Sequence, residues 1–275
     1  MRGALLFAVA ALAAGCAATP DEDAVAPPAD DGLLASTAVV NARQVEDGDE
    51  VPVGRFSELP AGTAGAPGWE PFQIQRANPR TRYHAVEVDG IVCMCADAPD
   101  GQSALQRLIR IDPRRHPILE WSWRVPRPAA AAVRAAEPSK PSPRARLMLA
   151  FHGDASKLDF EQRIHLRMAK AITGQALPYA SLIYVWQDGA QPETVLHSPY
   201  SERVRLIALP SGDAHFDRWQ AFRRNVREDY RRAFGEDPGD IVGVGIYTDV
   251  HSSGQPGLAY YGDITFRREP QTIAR

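Results

Sequence analysis

The chain has 275 residues, 44% hydrophobic and 24% charged, with a formal net charge of -3. So nearly neutral a chain has no field to hold nucleic acid, and no Gly-rich phosphate loop follows a strand-like run, so neither nucleic acid nor nucleotide is an expected partner. The 23 Pro and 21 Gly favour many short strands over long helices, and the length suits one folded domain.

The chain opens "MRGALLFAVAALAAGCAATP". Arg2 precedes an apolar run from Ala4 to Ala13, about ten residues, too short to cross a bilayer core of about 30 Å. The stretch therefore reads as an export signal, residues 1–15. "AAGC" resembles the bacterial lipobox, which makes Cys16 the lipidated first residue of the mature protein. Multiple acyl chains hold a protein on a membrane where a single chain would not. Ala17 after the Cys implies the outer membrane of a Gram-negative cell, with the folded part in the periplasm. Residues 16–52 are rich in acidic residues, Pro and Ala and read as a flexible tether. The folded domain is expected over residues 53–268, with a short tail at 269–275.

From Val53 onward, apolar runs of strand length alternate with turn residues. "YHAVEVDG" meets "IVCMCAD" across Asp89-Gly90, a strong hairpin signal. Cys93 and Cys95 share a strand face, too close along the chain for an unstrained bridge, and read chiefly as small buried residues. In "ILEWSWRV", Leu119, Trp121, Trp123 and Val125 alternate with Glu120, Ser122 and Arg124, which assigns both Trp to the core. A Pro/Ala-rich break, "PRPAAAAVRAAEPSKPSPRA", reads as an exposed insertion. "RLMLAF", "SLIYVW" and "RVRLIAL" follow as strands, the second apolar on both faces and so central.

Two amphipathic helices are expected among these strands. The first spans "SKLDFEQRIHLRMAKAITG", with Ser156 and Asp159 at capping-box spacing. The second spans "DAHFDRWQAFRRNVREDYRRAFG", with an apolar stripe through Trp219, Phe222, Val226, Tyr230 and Phe234 and a stop at Gly235. The last two runs, "IVGVGIYTD" and "AYYGDITF", are expected to form a hairpin. The predicted fold is mainly β: an antiparallel, jelly-roll-like β-sandwich with two inserted helices.

Candidate sites are few. Tyr184 and Trp186 share a strand face and could stack on a sugar ring, although they fit a core equally well. Asp249 and His251 share a face if their strand continues, and Asp263 begins the returning run. Asp249 and Asp263 could bond to turn backbone, supply part of a structural calcium shell, or, with His251, form the polar centre of a hydrolase acting on a glycan or ester. No nucleophile motif or zinc-ligand spacing is present, so no catalytic residue is assigned and no cofactor is expected beyond that possible calcium.

Several segments, "GWEPF", "YHAVEVDG", "LEWSWRV", "LPYASLIYVW", "VRLIALPSG", "WQAFRRNVREDYRRAFGEDPGDIVGVGIYTD" and "AYYGDITF", resemble, in this order, an uncharacterised bacterial family known only as a domain of unknown function. The likeness covers roughly residues 53–267. It implies an exported sandwich akin to galactose-binding and carbohydrate-binding modules, and it brings no activity with it. The expected role is a lipid-anchored, non-catalytic binding or scaffolding module for an envelope glycan or protein.

Overall fold

The computed structural model describes residues 48–72, 80–99, 103–128, 144–164, 177–198, 201–248 and 256–269. Within them lie thirteen strands: β1 (Glu50–Gly54), β2 (Glu70–Phe72), β3 (Arg82–Val88), β4 (Ile91–Ala98), β5 (Ala104–Ile111), β6 (Ile118–Arg124), β7 (Ala145–Phe151), β8 (Ala180–Trp186), β9 (Val195–Ser198), β10 (Ser201–Leu209), β11 (Trp219–Asn225), β12 (Ile241–Tyr247) and β13 (Gly257–Arg267). They form a six-stranded sheet ordered β11-β6-β13-β4-β3, with β1 also on β13, and a seven-stranded sheet ordered β2-β5-β12-β7-β8-β10-β9. The two inner faces close over one core, giving the expected β-sandwich. All strand pairs are antiparallel except β8 and β10, which run parallel.

Alternation decides which side chains enter that core. On β6 and the residue after it, Leu119, Trp121, Trp123 and Val125 are buried, as their spacing predicts. Trp121 stacks on Phe222 at 5.0 Å and lies 5.0 Å from Tyr184, so aromatic rings from both sheets meet in the middle. On β7, Ala145, Leu147, Leu149 and Phe151 face inward, whereas Met148 joins Ala104, Ile183 and Val185 in a second apolar cluster. Around β7 and β8 the seven-stranded sheet is thus apolar on both faces, and β8 is buried along its whole length. This is what the doubly apolar run predicts for a central strand. The β3–β4 hairpin also forms as expected, with Asp89 at φ 53° and Gly90 at φ 78°, both in the left-handed region that a tight two-residue turn requires.

Three expectations are corrected. The first concerns the closing pair of runs, which is an arch between the sheets and no hairpin: β12 sits between β5 and β7, and β13 between β6 and β4. Both strands are flanked on each side, and alternation is the same whether a chain returns in its own sheet or crosses about 10 Å to the facing one. Tyr261 ties the arch through the core, its hydroxyl donating to the Tyr247 carbonyl at 3.0 Å and sharing a bond with Thr248 Oγ1 at 2.8 Å.

The second correction concerns the longer helix. Trp219–Asn225 is strand β11, paired along its whole length with β6, and only Val226–Phe234 is helical, here named α1. The same segment alternates at period two: Gln220, Phe222 and Arg224 turn inward, and Trp219 and Arg223 turn outward. Asn225 marks the true start, its side chain accepting from the Glu228 N–H at 3.2 Å. The stop is as predicted: Gly235 takes φ 73°, and its N–H donates to the Arg231 carbonyl.

The third correction concerns boundaries. Strand β1 begins at Glu50, inside the stretch read as tether. Asp154 caps a 3₁₀ turn, Ala155–Lys157, and Asp159 rather than Ser156 caps the helical residues 160–164, accepting from the Gln162 N–H at 2.7 Å. The rest of that predicted helix lies outside the described residues, as does the interior of the Pro/Ala-rich insertion. Strands β2, β5 and β9 were not anticipated.

Candidate functional site

The residues singled out from the sequence do not come together. Tyr184 and Trp186 are wholly buried, so they form no exposed sugar platform. Their polar ends are used internally: the Tyr184 hydroxyl donates to Asp229 Oδ2 at 2.8 Å, and Trp186 Nε1 donates to Asp188 Oδ1 at 2.9 Å. The alternation of β8 points both rings between the sheets, where Trp121 and Phe216 pack against them. Asp263 is committed as well. Its Oδ1 accepts from the Ser57 backbone N–H at 2.8 Å and its Oδ2 from the Ser57 hydroxyl at 2.6 Å. It sits at the irregularity in β13 where the neighbouring strand changes from β4 to β1, and it pins the 3₁₀ turn Phe56–Glu58 there. Asp249, His251 and Cys16 lie outside the described residues. Among the described residues, no group of three or more His, Cys, Asp or Glu could hold a metal ion.

A charged cluster at the edge of the sandwich, centred on the buried Asp229, joins α1 to it. Arg224 donates to Asp229 through Nε at 2.8 Å and Nη2 at 2.7 Å, and to Glu193 through Nη1 at 2.8 Å and Nη2 at 2.9 Å. Arg232 contacts both carboxylates. Burial, then the neighbouring Asp229 carboxylate, pushes the Tyr184 hydroxyl well above its ordinary pKa, so it stays a donor. The carboxylates and guanidinium here are mutually satisfied, which is the signature of a structural staple. A second such group holds the other end of α1, where Arg203 lies 4.0 Å from the Tyr179 ring and donates to Glu236 at 2.6 Å.

The outer face of the six-stranded sheet is different. Residues directly opposite on neighbouring strands share a face. Trp219 of β11 pairs with Arg124 of β6, Arg124 with Tyr260 of β13, Tyr260 with Cys95 of β4, and Cys95 with His84 of β3. These five therefore form one row across the strands, on the side away from the core residues of β6. Trp219, Arg124, Tyr260 and His84 are each partly exposed. The Arg124 guanidinium is 5.9 Å from the Tyr260 ring centre and 3.2 Å from Asp89. Trp219 Nε1 is shielded from solvent and has no hydrogen-bond partner, a costly state for a donor. Trp121 Nε1 is orphaned too, but inside the core.

One step along the strands the side chains shrink. Ala221 pairs with Ser122, and Gly262 lies so close that a Cβ there would meet Ser122 Oγ at 2.2 Å. One step further, Arg223 pairs with Glu120 and Glu120 with Thr265. Glu120 accepts from Arg223 at 3.1 Å and from Arg267 at 2.7 Å, and Arg267 also bonds Glu50. On this face a band of small residues thus separates an aromatic row from a charged row. Cys93 and Cys95 share this side of β4 as free, buried thiols, each pushed up to about 12 chiefly by burial.

Trp219, Arg124 and Tyr260 were not singled out as site residues. Helical spacing places Trp219 on a helix, and the expected hairpin places Tyr260 in one of its arms. Arg124 was placed correctly on the polar side of its strand, but nothing local revealed which aromatics would flank it. A period-two reading of "WQAFRRN" would have put Trp219 on the outer side.

The profile of a family described as "Protein of unknown function (DUF3047)" matches residues 67–265. No curated protein matches. Among solved structures, a cleaved adhesin domain of Lys-gingipain from Porphyromonas gingivalis is similar at 7% identity and TM-score 0.34, over 81% of this chain and 99% of that one. The family 30 carbohydrate-binding module of a cellulosomal cellulase of Clostridium thermocellum is similar at 12% identity and TM-score 0.32, again over 81% and 99%.

Proposed function

The chain belongs to the DUF3047 family of proteins of unknown function, and from that premise we propose that it is a non-catalytic, glycan-binding module of the bacterial envelope, anchored by lipid at Cys16. The observation that carries the binding role is the row Trp219, Arg124 and Tyr260 on the outer face of the six-stranded sheet. Sugar rings present a C–H face that packs on an aromatic ring, and their hydroxyls bond to planar charged groups beside it. A partly exposed Trp and Tyr on either side of an arginine provide both. The export signal and "AAGC" support the anchor, with the folded part in the periplasm and the outer membrane as its destination. Among the described residues no helix is long and apolar enough to cross a membrane.

The hydrolase reading is less well supported, because the Asp263 carboxylate is already engaged by Ser57 at both oxygens. Co-sedimentation with insoluble envelope polysaccharide tests the binding role: wild-type protein is expected in the pellet, and the Trp219→Ala, Tyr260→Ala double variant in the supernatant. Equal distribution of the two proteins would count against this face. Labelling with radioactive palmitate tests the anchor, and incorporation is expected to vanish in Cys16→Ser. Label retained in that variant would remove Cys16 as the attachment point.

A further inference from the structure

Resting on that reading, we infer that the ligand is an electrically neutral glycan chain, one sugar ring wide, lying over the aromatic row and the small residues beside it and running across the strands β11, β6 and β13. Three features of the face point this way.

The first is direction. Trp219, Arg124 and Tyr260 stand at one level on successive strands. Neighbouring strands are about 4.8 Å apart, so the two aromatic residues are about 10 Å apart across the sheet. A linear chain that meets both rings must cross the strands, with one ring in contact at each end of a short oligosaccharide. A chain running along β11 would meet Trp219 and leave Tyr260 untouched.

The second is width. Glu120 follows Arg124 by four positions in reverse along β6, about 13 Å of strand. The aromatic row and the Arg223–Glu120–Thr265 row flank this interval on either side. The interval is low because it is made of Ala221, Ser122 and Gly262, the last with no room for a side chain beside Ser122.

The third is charge. Each of the four arginines on this face already has a carboxylate: Arg82 with Asp97 at 2.6 Å, Arg124 with Asp89 at 3.2 Å, Arg223 with Glu120 at 3.1 Å and Arg267 with Glu120 at 2.7 Å. An acidic glycan would find no uncompensated positive charge on these four and would have to displace a carboxylate of the protein. Neutral hydroxyls can instead bond to the outer edges of these pairs without breaking them.

Isothermal titration of the full-length, lipid-bearing protein in neutral detergent tests the inference. The probes are neutral gluco-, manno- and galacto-oligosaccharides of two to six units, against galacturonate oligomers of the same lengths. A neutral oligomer is expected to bind, with Kd changing less than about twofold as salt rises several-fold, because no net charge is neutralised. Trp219→Ala and Tyr260→Ala are each expected to weaken binding about tenfold, whereas Trp219→Phe and Tyr260→Phe, which keep a ring, stay within about threefold. The Phe variants keep the test decisive should an Ala variant fold poorly. Preferential binding of galacturonate, with affinity falling steeply in salt, would overturn the neutral assignment while leaving the module reading intact. A loss confined to Trp219→Ala, with Tyr260→Ala binding normally, would overturn the crossing direction alone. Binding of none of these sugars to the wild-type protein, together with no polysaccharide co-sedimentation, would bring down the module reading and this inference with it.

Discussion

Replacing Asp229 with Ala probes how α1 is fastened across the edge of the sandwich. The Asp229 carboxylate accepts the Tyr184 hydroxyl at 2.8 Å, Arg224 Nε at 2.8 Å and Arg224 Nη2 at 2.7 Å, with Arg232 at 3.2 Å. Its removal strands the Tyr184 hydroxyl, which is wholly buried, and Arg224 Nε. Glu193 still holds Arg224 through Nη1 and Nη2, so the guanidinium is not left without a counter-charge. An orphaned buried donor costs about 1–3 kcal/mol, and one on a charged group more. Two of them give about 3–5 kcal/mol, the range seen when a buried pair is broken from one side. For a domain of this size each kcal/mol is worth about 2–4 °C, so Tm is expected to fall by about 6–20 °C. Asp229→Asn, which keeps one acceptor oxygen, should fall about half as far. Tyr184→Phe should cost about 1 kcal/mol, because the carboxylate retains its arginines. Since Tyr184 and Asp229 share a bond, the double variant should lose at least about 0.5 kcal/mol less than the two singles added together. Urea titrations followed by tryptophan fluorescence, with thermal scans alongside, supply these numbers. An Asp229→Ala protein melting within about 2 °C of wild type would refute the staple.

Other outcomes follow from the same geometry. Cys93 and Cys95 are buried and their thiols pushed up to about 12, so a disulfide reagent at about pH 8 should find neither in the folded protein. In urea it should find both, and a third thiol would show that Cys16 carries no lipid. Asp263→Ala removes two bonds to Ser57 and should cost about 1–2 kcal/mol, as for a lost cap. The same drop with and without calcium would fit a structural carboxylate, and a drop seen only with calcium would restore the metal reading. Burial raises Glu193, but bonds from Arg224 and Arg232 outweigh it and hold the group below its ordinary value. A depressed folded pKa means that the unfolded chain takes up protons first, so this stabilisation is present above about pH 4.3 and is lost as pH falls through the folded value. Melting temperature should decline in that acid range, and less so in Glu193→Gln; identical acid profiles would remove Glu193 as a contributor.

Much of the fold was legible because alternation is a local property. Leu119, Trp121, Trp123 and Val125 declare their face within seven residues, and the doubly apolar run of β8 declares its central place. The turn at Asp89-Gly90 needs only the two residues that can adopt its backbone. What failed was partner choice. Trp219, Phe222 and Val226 satisfy a helical period, and the seven residues from Trp219 became a strand because β6 had an open edge to pair with. Local propensity is a weak prior where such pairing is on offer.

The same limit explains why the candidate site was invisible. Trp219, Arg124 and Tyr260 come from three distant segments, and each is unremarkable in its own. What makes them a row is register: a slip of one residue between β6 and β11 would turn Trp219 into the core and bring Gln220 to the surface. That register is fixed from the inside, by Phe222 against Trp121 and Trp123 and by Gln220 accepting the Trp123 indole N–H at 3.3 Å. The core therefore positions the outer aromatic row. A core substitution such as Phe222→Ala, far from any ligand contact, should weaken glycan binding along with stability, and the two losses should track each other across a series of side chains at position 222. Retained affinity in a folded but loosened variant would show that the row is held by something other than this packing.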